Sequence, residues 1–147
     1  MSFTHIADVM QTKIVTISAG ERLSTVEDIM TLGGVRHMPV VRGGRLVGVV
    51  SERDLLRVSL SNLNQNGSDA RRAFLHAVEI ERVMSSPPIV ISQDAAVEDA
   101  ARVMADHKIG CLPVVDCGDR LVGMVTETDL LRYFAGERSV TEIHSVV

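Results

Sequence analysis

The feature that most constrains this chain is that it is written twice. Val9-Met10 recurs as Val83-Met84, Ile17-Ser18 as Ile91-Ser92, and Pro39-Val40-Val41 as Pro113-Val114-Val115, all at a spacing of 74 residues. One additional residue between positions 116 and 119 moves the spacing to 75. Residues 45–57 then align with 120–132 at 10 identical positions in 13. Two unrelated segments with the same apolar period would not also share Arg, Gly, Glu and Asp, so the repeat is genuine.

Each copy reads β-α-β-β-α. Val15-Thr16-Ile17 and Ile89-Val90-Ile91 are short β-branched runs that predict a first strand. Leu23, Val26, Ile29 and Met30 fall on one face of a helix, as do Val97, Ala100, Val103 and Met104 in the second copy. Ser24 and Glu27 have the spacing of a capping box at the start of the first of these helices. His37-Met38-Pro39-Val40-Val41 and the run Leu46 to Val50 predict a hairpin around Gly43-Gly44. A closing helix begins near Ser51 with Leu55-Leu56, and its counterpart begins near Thr126 with Leu130-Leu131.

A unit this small cannot bury its apolar face alone. The expected fold is therefore α/β (α+β), two repeats packed together with pseudo-twofold symmetry. The expected divisions are a first repeat at 6–60, a linker with a helix at 61–82, a second repeat at 83–134 and a tail at 135–147. Within the linker, residues 61–68 are polar and read as a loop, whereas 69–83 read as a helix carrying Ala73, Leu75, Ala77, Val78 and Ile80. The tail lacks a clear apolar period, as expected of a frayed end or an assembly segment.

Composition narrows the function. Aromatic residues are only 3%, too few for the stacking platforms of single-strand nucleic-acid binding. The seven methionines suit an adaptable aliphatic core. The formal net charge is −4 and no long basic run occurs, which disfavours duplex DNA and anionic membranes as partners. Apolar runs are too short to span a bilayer and residues 1–10 lack a secretory pattern, so a cytoplasmic location is expected. Cys111 and Cys117 lack partners at metal-ligand spacing and read as a buried small side chain and a turn thiol. His5, His37, His76, His107 and His144 are scattered outside any metalloprotease or nucleophile-elbow pattern, so no enzyme and no metal are expected.

The best-matched stretch holds Gly48, Ser51 and Asp54 in one copy and Gly123, Thr126 and Asp129 in the other. Glycine inside a strand marks close approach of a ligand or of another backbone. A helix start offers free N–H groups to a phosphate, and a carboxylate one turn on can accept hydrogen bonds from vicinal sugar hydroxyls. The same hydroxyl and carboxylate spacing also fits a capping box that does no more than satisfy backbone donors. Both readings stand at this point.

These residues resemble a known family. With its Val-Met openings at 9–10 and 83–84, its Pro-Val-Val strands at 39 and 113, and its Gly, Ser/Thr and Asp endings, the chain is similar to a tandem pair of CBS domains, over about residues 6–134. The resemblance implies two symmetry-related clefts between the repeats and an adenosine-containing ligand: AMP, ADP, ATP, S-adenosylmethionine or NAD. It carries Ser51 and Asp54 to one cleft and Thr126 and Asp129 to the other. It implies Ile14, Val15, Thr16, Ile109 and Gly110 as adenine walls of the Asp54 cleft, with Pro88, Ile89, Val90, Val35 and Arg36 as counterparts for the other.

The copies differ where charge matters. Arg36-His37 and Arg53 in the first align with Gly110-Cys111 and Thr128 in the second. Arginine can clamp phosphate oxygens bidentately and threonine cannot. The Asp54 cleft is therefore expected to take a polyphosphate better than the Asp129 cleft. His37 lies in the same candidate cleft, where phosphate contact or packing would account for it. The expected function is a stand-alone regulatory sensor of adenine nucleotides, homodimeric, signalling in trans to a partner enzyme or transporter. The alternative is an interaction scaffold with vestigial clefts.

Overall fold

The computed structural model describes residues 4–60 and 68–136; the rest of the expected loop, at 61–67, and of the tail, at 137–147 with His144, lies outside the described residues. The fold is α+β. The first copy runs β1 (Ile17–Ser18), α2 (Leu23–Gly33), β2 (His37–Arg42), β3 (Arg45–Ser51) and α3 (Glu52–Leu60). The second repeats it as β4 (Ile91–Ser92), α5 (Val97–His107), β5 (Cys111–Val115), β6 (Leu121–Thr126) and α6 (Glu127–Phe134). The short helix α1 (Ile6–Val9) precedes the first copy. The helix α4 (Ser68–Ala77) and a 3-10 turn (Ile80–Arg82) precede the second.

Each copy forms a three-stranded sheet, in the orders β1-β2-β3 and β4-β5-β6. The first pair of strands in each is parallel, which requires a crossover, and α2 and α5 supply it. The second pair is an antiparallel hairpin. Gly43 and Gly44 both have positive φ, as a two-residue hairpin turn with the twist of its strands demands. The additional residue of the second copy makes that turn longer. There Asp116 accepts from the Gly118 and Arg120 N–H groups at 2.8 and 3.0 Å, and Asp119 takes the left-handed conformation. The Arg120 N–H, then the Gly118 N–H and the Arg120 guanidinium, hold the Asp116 carboxyl below its ordinary range.

The compact units are not the two sequence copies. One is residues 14–89; the other joins residues 1–13 to 90–147. Each Val-Met segment thus packs on the sheet of the copy it does not belong to. Gln11 exchanges two backbone hydrogen bonds with Met124, at 2.8 and 2.9 Å, and Ser85 exchanges two with Val49, at 2.9 and 3.1 Å. The strand glycines exist for this contact. A Cβ on Gly48 would stand 2.7 Å from Met84 Sδ and 2.8 Å from the Ser85 carbonyl oxygen. One on Gly123 would stand 2.7 Å from the Gln11 carbonyl oxygen and 2.8 Å from Met10 Sδ. Of the two partners expected for a strand glycine, it is another backbone that approaches.

In the 14–89 unit the apolar face of α2 (Leu23, Val26, Met30) is buried with Met38, Val40, Val50, Leu75 and Ile80. In the other unit Ile6, Val97, Ala100, Leu112, Val114 and Val125 are fully buried. Cys111 is buried and Cys117 exposed, as expected, and neither is in a disulfide. The leucine pairs split, Leu55 and Leu130 inward and Leu56 and Leu131 outward, because consecutive helical residues point about 100° apart.

Three local expectations change. The first strands begin later, so that only Ile17 and Ile91 of the β-branched runs enter a ladder. Ser24 does not cap α2, which starts at Leu23 after Arg22; it is buried inside the helix with its Oγ 3.1 Å from His76 Nδ1. Glu27 instead pairs with Arg71 and Arg72 of α4 at 2.6 and 2.8 Å. The helix expected over 69–83 stops at Ala77, and Ile80 reaches the core from the 3-10 turn that follows. Among the described residues, no helix is long and apolar enough to cross a membrane.

Because the atoms facing both strand glycines include backbone oxygens, relief by a rotamer change alone is blocked. Gly48→Ala and Gly123→Ala are each expected to cost about 1–3 kcal/mol, lowering Tm by several degrees in calorimetry. An unchanged Tm would show that the contact relaxes freely.

Candidate functional site

In each unit the chemistry gathers where the hairpin ends and a helix begins. In the 14–89 unit His37 opens β2 directly opposite Ser51, the last residue of β3. The Arg36 carbonyl accepts from the Glu52 N–H at 2.8 Å, tying the entry to β2 to the start of α3. The parallel register of β1, with Ile17 opposite Val40, carries Ile14, Val15 and Thr16 alongside the start of β2. Val15 and Thr16 are exposed and Ile14 half-buried. Ile14, Val15, Thr16, Arg36, His37, Ser51, Arg53 and Asp54 thus share one sheet end. Arg53 is exposed, and among the described residues the Arg36 guanidinium makes a long ion pair with Glu52, at 3.9 Å.

The second unit repeats this frame. Cys111 stands opposite Thr126, and the Gly110 carbonyl accepts from the Glu127 N–H at 3.0 Å. Ile109 and Gly110 therefore stand beside Thr126, in the unit that does not contain Asp54. Of the residues matched to the Asp129 cleft, Val35, Arg36, Pro88 and Ile89 belong to the 14–89 unit and Val90 to the other.

Both aspartates take the capping geometry. The Ser51 N–H donates to Asp54 Oδ2 at 2.9 Å, and the Asp54 N–H donates to Ser51 Oγ at 3.1 Å. At α6 the Thr126 N–H and Oγ1–H donate to Asp129 Oδ2 at 2.8 and 3.0 Å, and the Asp129 N–H donates to Thr126 Oγ1 at 3.3 Å. The reciprocal pair satisfies donors that a helix start would otherwise leave open. Capping uses only part of a carboxylate, which offers about four lone-pair positions. Among the described residues Asp54 Oδ1 has an ion pair with Arg57, at 3.9 Å, and the side chain is 10% exposed. Capping therefore does not exhaust the acceptor capacity of the side chain.

One residue at the second site went unnoticed in the sequence. The Gln11 side-chain amide donates to Asp129 Oδ1 and Oδ2 at 3.1 and 3.3 Å across 118 residues. The alignment of the copies does hold a trace of it, since Gln11 faces Ser85 at the 74-residue spacing, but its contact depends on tertiary structure.

A family model described as CBS domain matches residues 6–61 and again 80–136. The chain belongs to the CBS domain family. It is 34% identical over 131 residues to the MJ1225 protein of Methanocaldococcus jannaschii, which covers 88% of this chain and 47% of that protein. It is 31% identical over 127 residues to the CBS domain-containing protein YhcV of Bacillus subtilis, covering 86% of this chain and 83% of YhcV. The chain thus spans about half of one CBS relative and most of another. Among solved structures, it is similar to the CBS domain pair of protein MJ0100 in complex with 5′-methylthioadenosine and S-adenosyl-L-methionine. That likeness has a TM-score of 0.77 at 25% identity and covers 93% of this chain and 100% of that one.

The cap is testable without any ligand. Ser51→Ala and Thr126→Ala are each expected to cost about 1 kcal/mol by loss of a helix cap, read as a lower denaturation midpoint. Ser51→Thr and Thr126→Ser should largely restore it. No change on alanine substitution would show that the caps do not hold the helix starts.

Proposed function

We propose that this CBS pair is a regulatory module that binds adenosine-containing small molecules at the sheet ends marked by Asp54 and Asp129, and that a partner protein reads the bound state. The observation that carries the reading is the recurrence in both units of a capped carboxylate beside a helix start, in a chain similar to a CBS pair solved with two adenosine compounds. Those two compounds share adenosine and lack a phosphate. The aspartate is accordingly assigned to the ribose hydroxyls, which every adenosine ligand presents. Arg36, Arg53 and His37 are assigned to the 5′ substituent, where they favour phosphate at the Asp54 site. Ile14, Val15 and Thr16 offer an apolar edge to the base. The role is binding without bond-making: a ligand shifts the module between states by its differential affinity for them.

A homodimer belongs to this reading. Leu56 and Leu60 on α3, and Leu131 and Phe134 on α6, are exposed, Leu131 by 69%. A cavity of about 500 Å³ between α5 and α6 is lined by Met104, Ile109, Leu130, Leu131 and Phe134. A second copy would cover apolar patches of this kind, whose exposure is otherwise unfavourable.

Thermal melts with AMP, ATP, S-adenosylmethionine and 5′-methylthioadenosine test the ligand. A binder at 100 times its Kd is expected to stabilise the protein by about 2.7 kcal/mol. Asp54→Asn, which keeps an oxygen for the cap, should reduce that shift while leaving the unliganded Tm nearly unchanged. A flat response across the panel would favour a scaffold whose aspartates only cap. Sedimentation tests the assembly: the native chain should sediment as a dimer, and Leu131→Glu with Phe134→Glu as a monomer. A dimer that persists in the double variant would place the interface elsewhere.

A further inference from the structure

The two Val-Met segments end in residues that are held alike but differ in reach. Gln11 is clamped by its two backbone hydrogen bonds to Met124, and Ser85 by its two to Val49, each beside the residue after the strand glycine. The backbones are equivalent. From that position the three-carbon amide of Gln11 reaches both oxygens of Asp129. The Ser85 hydroxyl makes no hydrogen bond to Asp54 among the described residues.

The consequence lies in the lone pairs. Asp129 Oδ2 already accepts from the Thr126 N–H and hydroxyl, and Gln11 occupies Oδ1 at 3.1 Å while also approaching Oδ2. A vicinal diol needs acceptor positions on that carboxylate, and here an amide from the protein competes for one on Oδ1. Among the described residues Asp54 Oδ1 has the Arg57 guanidinium as its ionic partner, at 3.9 Å. At Asp129 a diol must first displace an intramolecular amide donor; Asp54, although its side chain is only 10% exposed, has no such amide on it among the described residues.

We propose that Gln11 is a latch on the Asp129 site: its amide stands in for the ligand's ribose hydroxyls, weakens that site, and makes the two sites fill in order, Asp54 first. The proposal rests on the ribose reading of the two aspartates. It adds a cause of inequality separate from the arginines, because it acts on the sugar and not on phosphate. The latch is a positioning residue that competes with ligand. Its side chain is exposed at the surface, so it can swing away without opening the core.

The probe is 5′-methylthioadenosine, which carries the diol but no phosphate and so leaves the arginine difference out. Titration calorimetry on the full chain should find a tighter site removed by Asp54→Asn and a weaker one removed by Asp129→Asn. Gln11→Ser places in the first copy the residue that the second copy already has in the same clamped position, so the backbone pairing tolerates it. It is expected to tighten the Asp129 site by about 3- to 10-fold, the net effect of one hydrogen bond. The reciprocal Ser85→Gln should weaken the Asp54 site by a similar factor. Gln11→Ser that folds, by its melting curve, yet leaves the Asp129 affinity unchanged would overturn the latch while leaving the ribose reading intact. If neither Asp54→Asn nor Asp129→Asn alters binding of the probe, the ribose reading falls and the latch with it.

Discussion

The contact on which the rest depends is the seating of each Val-Met segment against a strand glycine. It combines two backbone hydrogen bonds with a methionine side chain lying where a Cβ would otherwise stand. Because the segment that opens one copy sits on the sheet that ends the other, the chain cannot be divided at the boundary its sequence suggests. A cut there would strip a sheet of its covering segment and expose the glycine surface. The duplication is thus a pair of units that exchange their first residues. The linker between the copies is equally committed: Leu75 and Ile80 are core residues of the 14–89 unit, and Arg71 and Arg72 hold α4 to α2 through Glu27 and Asp28.

Much of this was legible in the sequence wherever one local rule acted alone. The Gly-Gly hairpin turn, the α2 and α5 stripes, and the closing helices that carry the leucine pairs follow from backbone conformation and helical period, and the structure has them. Legibility failed where two partners far apart competed for one side chain. Ser24 and Glu27 have capping-box spacing, but His76 and the α4 arginines claim them, and α2 begins without a side-chain cap. The β-branched runs at 15–17 and 89–91 promised strands, but β propensity does not decide which residues find a ladder partner. The helix expected to continue past residue 77 stops there, and Ile80 is buried from a 3-10 turn instead.

The candidate site shows the same division. Gly48 and Gly123, Ser51 and Thr126, Asp54 and Asp129 could all be found by comparing the copies, since identity beyond the apolar pattern marked them. What comparison alone left open was whether each glycine faced a ligand or a backbone, and whether each aspartate capped or bound. The glycines answer to the Met84-Ser85 and Met10-Gln11 backbones. The aspartates cap, with an oxygen to spare at Asp54.

That spare oxygen is where symmetry of fold and symmetry of chemistry part. The duplicated backbone reproduces the main-chain pairing at this contact, so Gln11 and Ser85 are clamped alike. It places no restraint on what the clamped side chains reach. Among the described residues the serine places no donor on its neighbouring carboxylate; a glutamine, one methylene longer and ending in an amide, does. Inequality between the sites therefore does not require any distortion of the repeat. It needs one side chain of sufficient length on a backbone that the glycine contact already holds still, and that contact makes the reach of a single residue reproducible enough to tune a site.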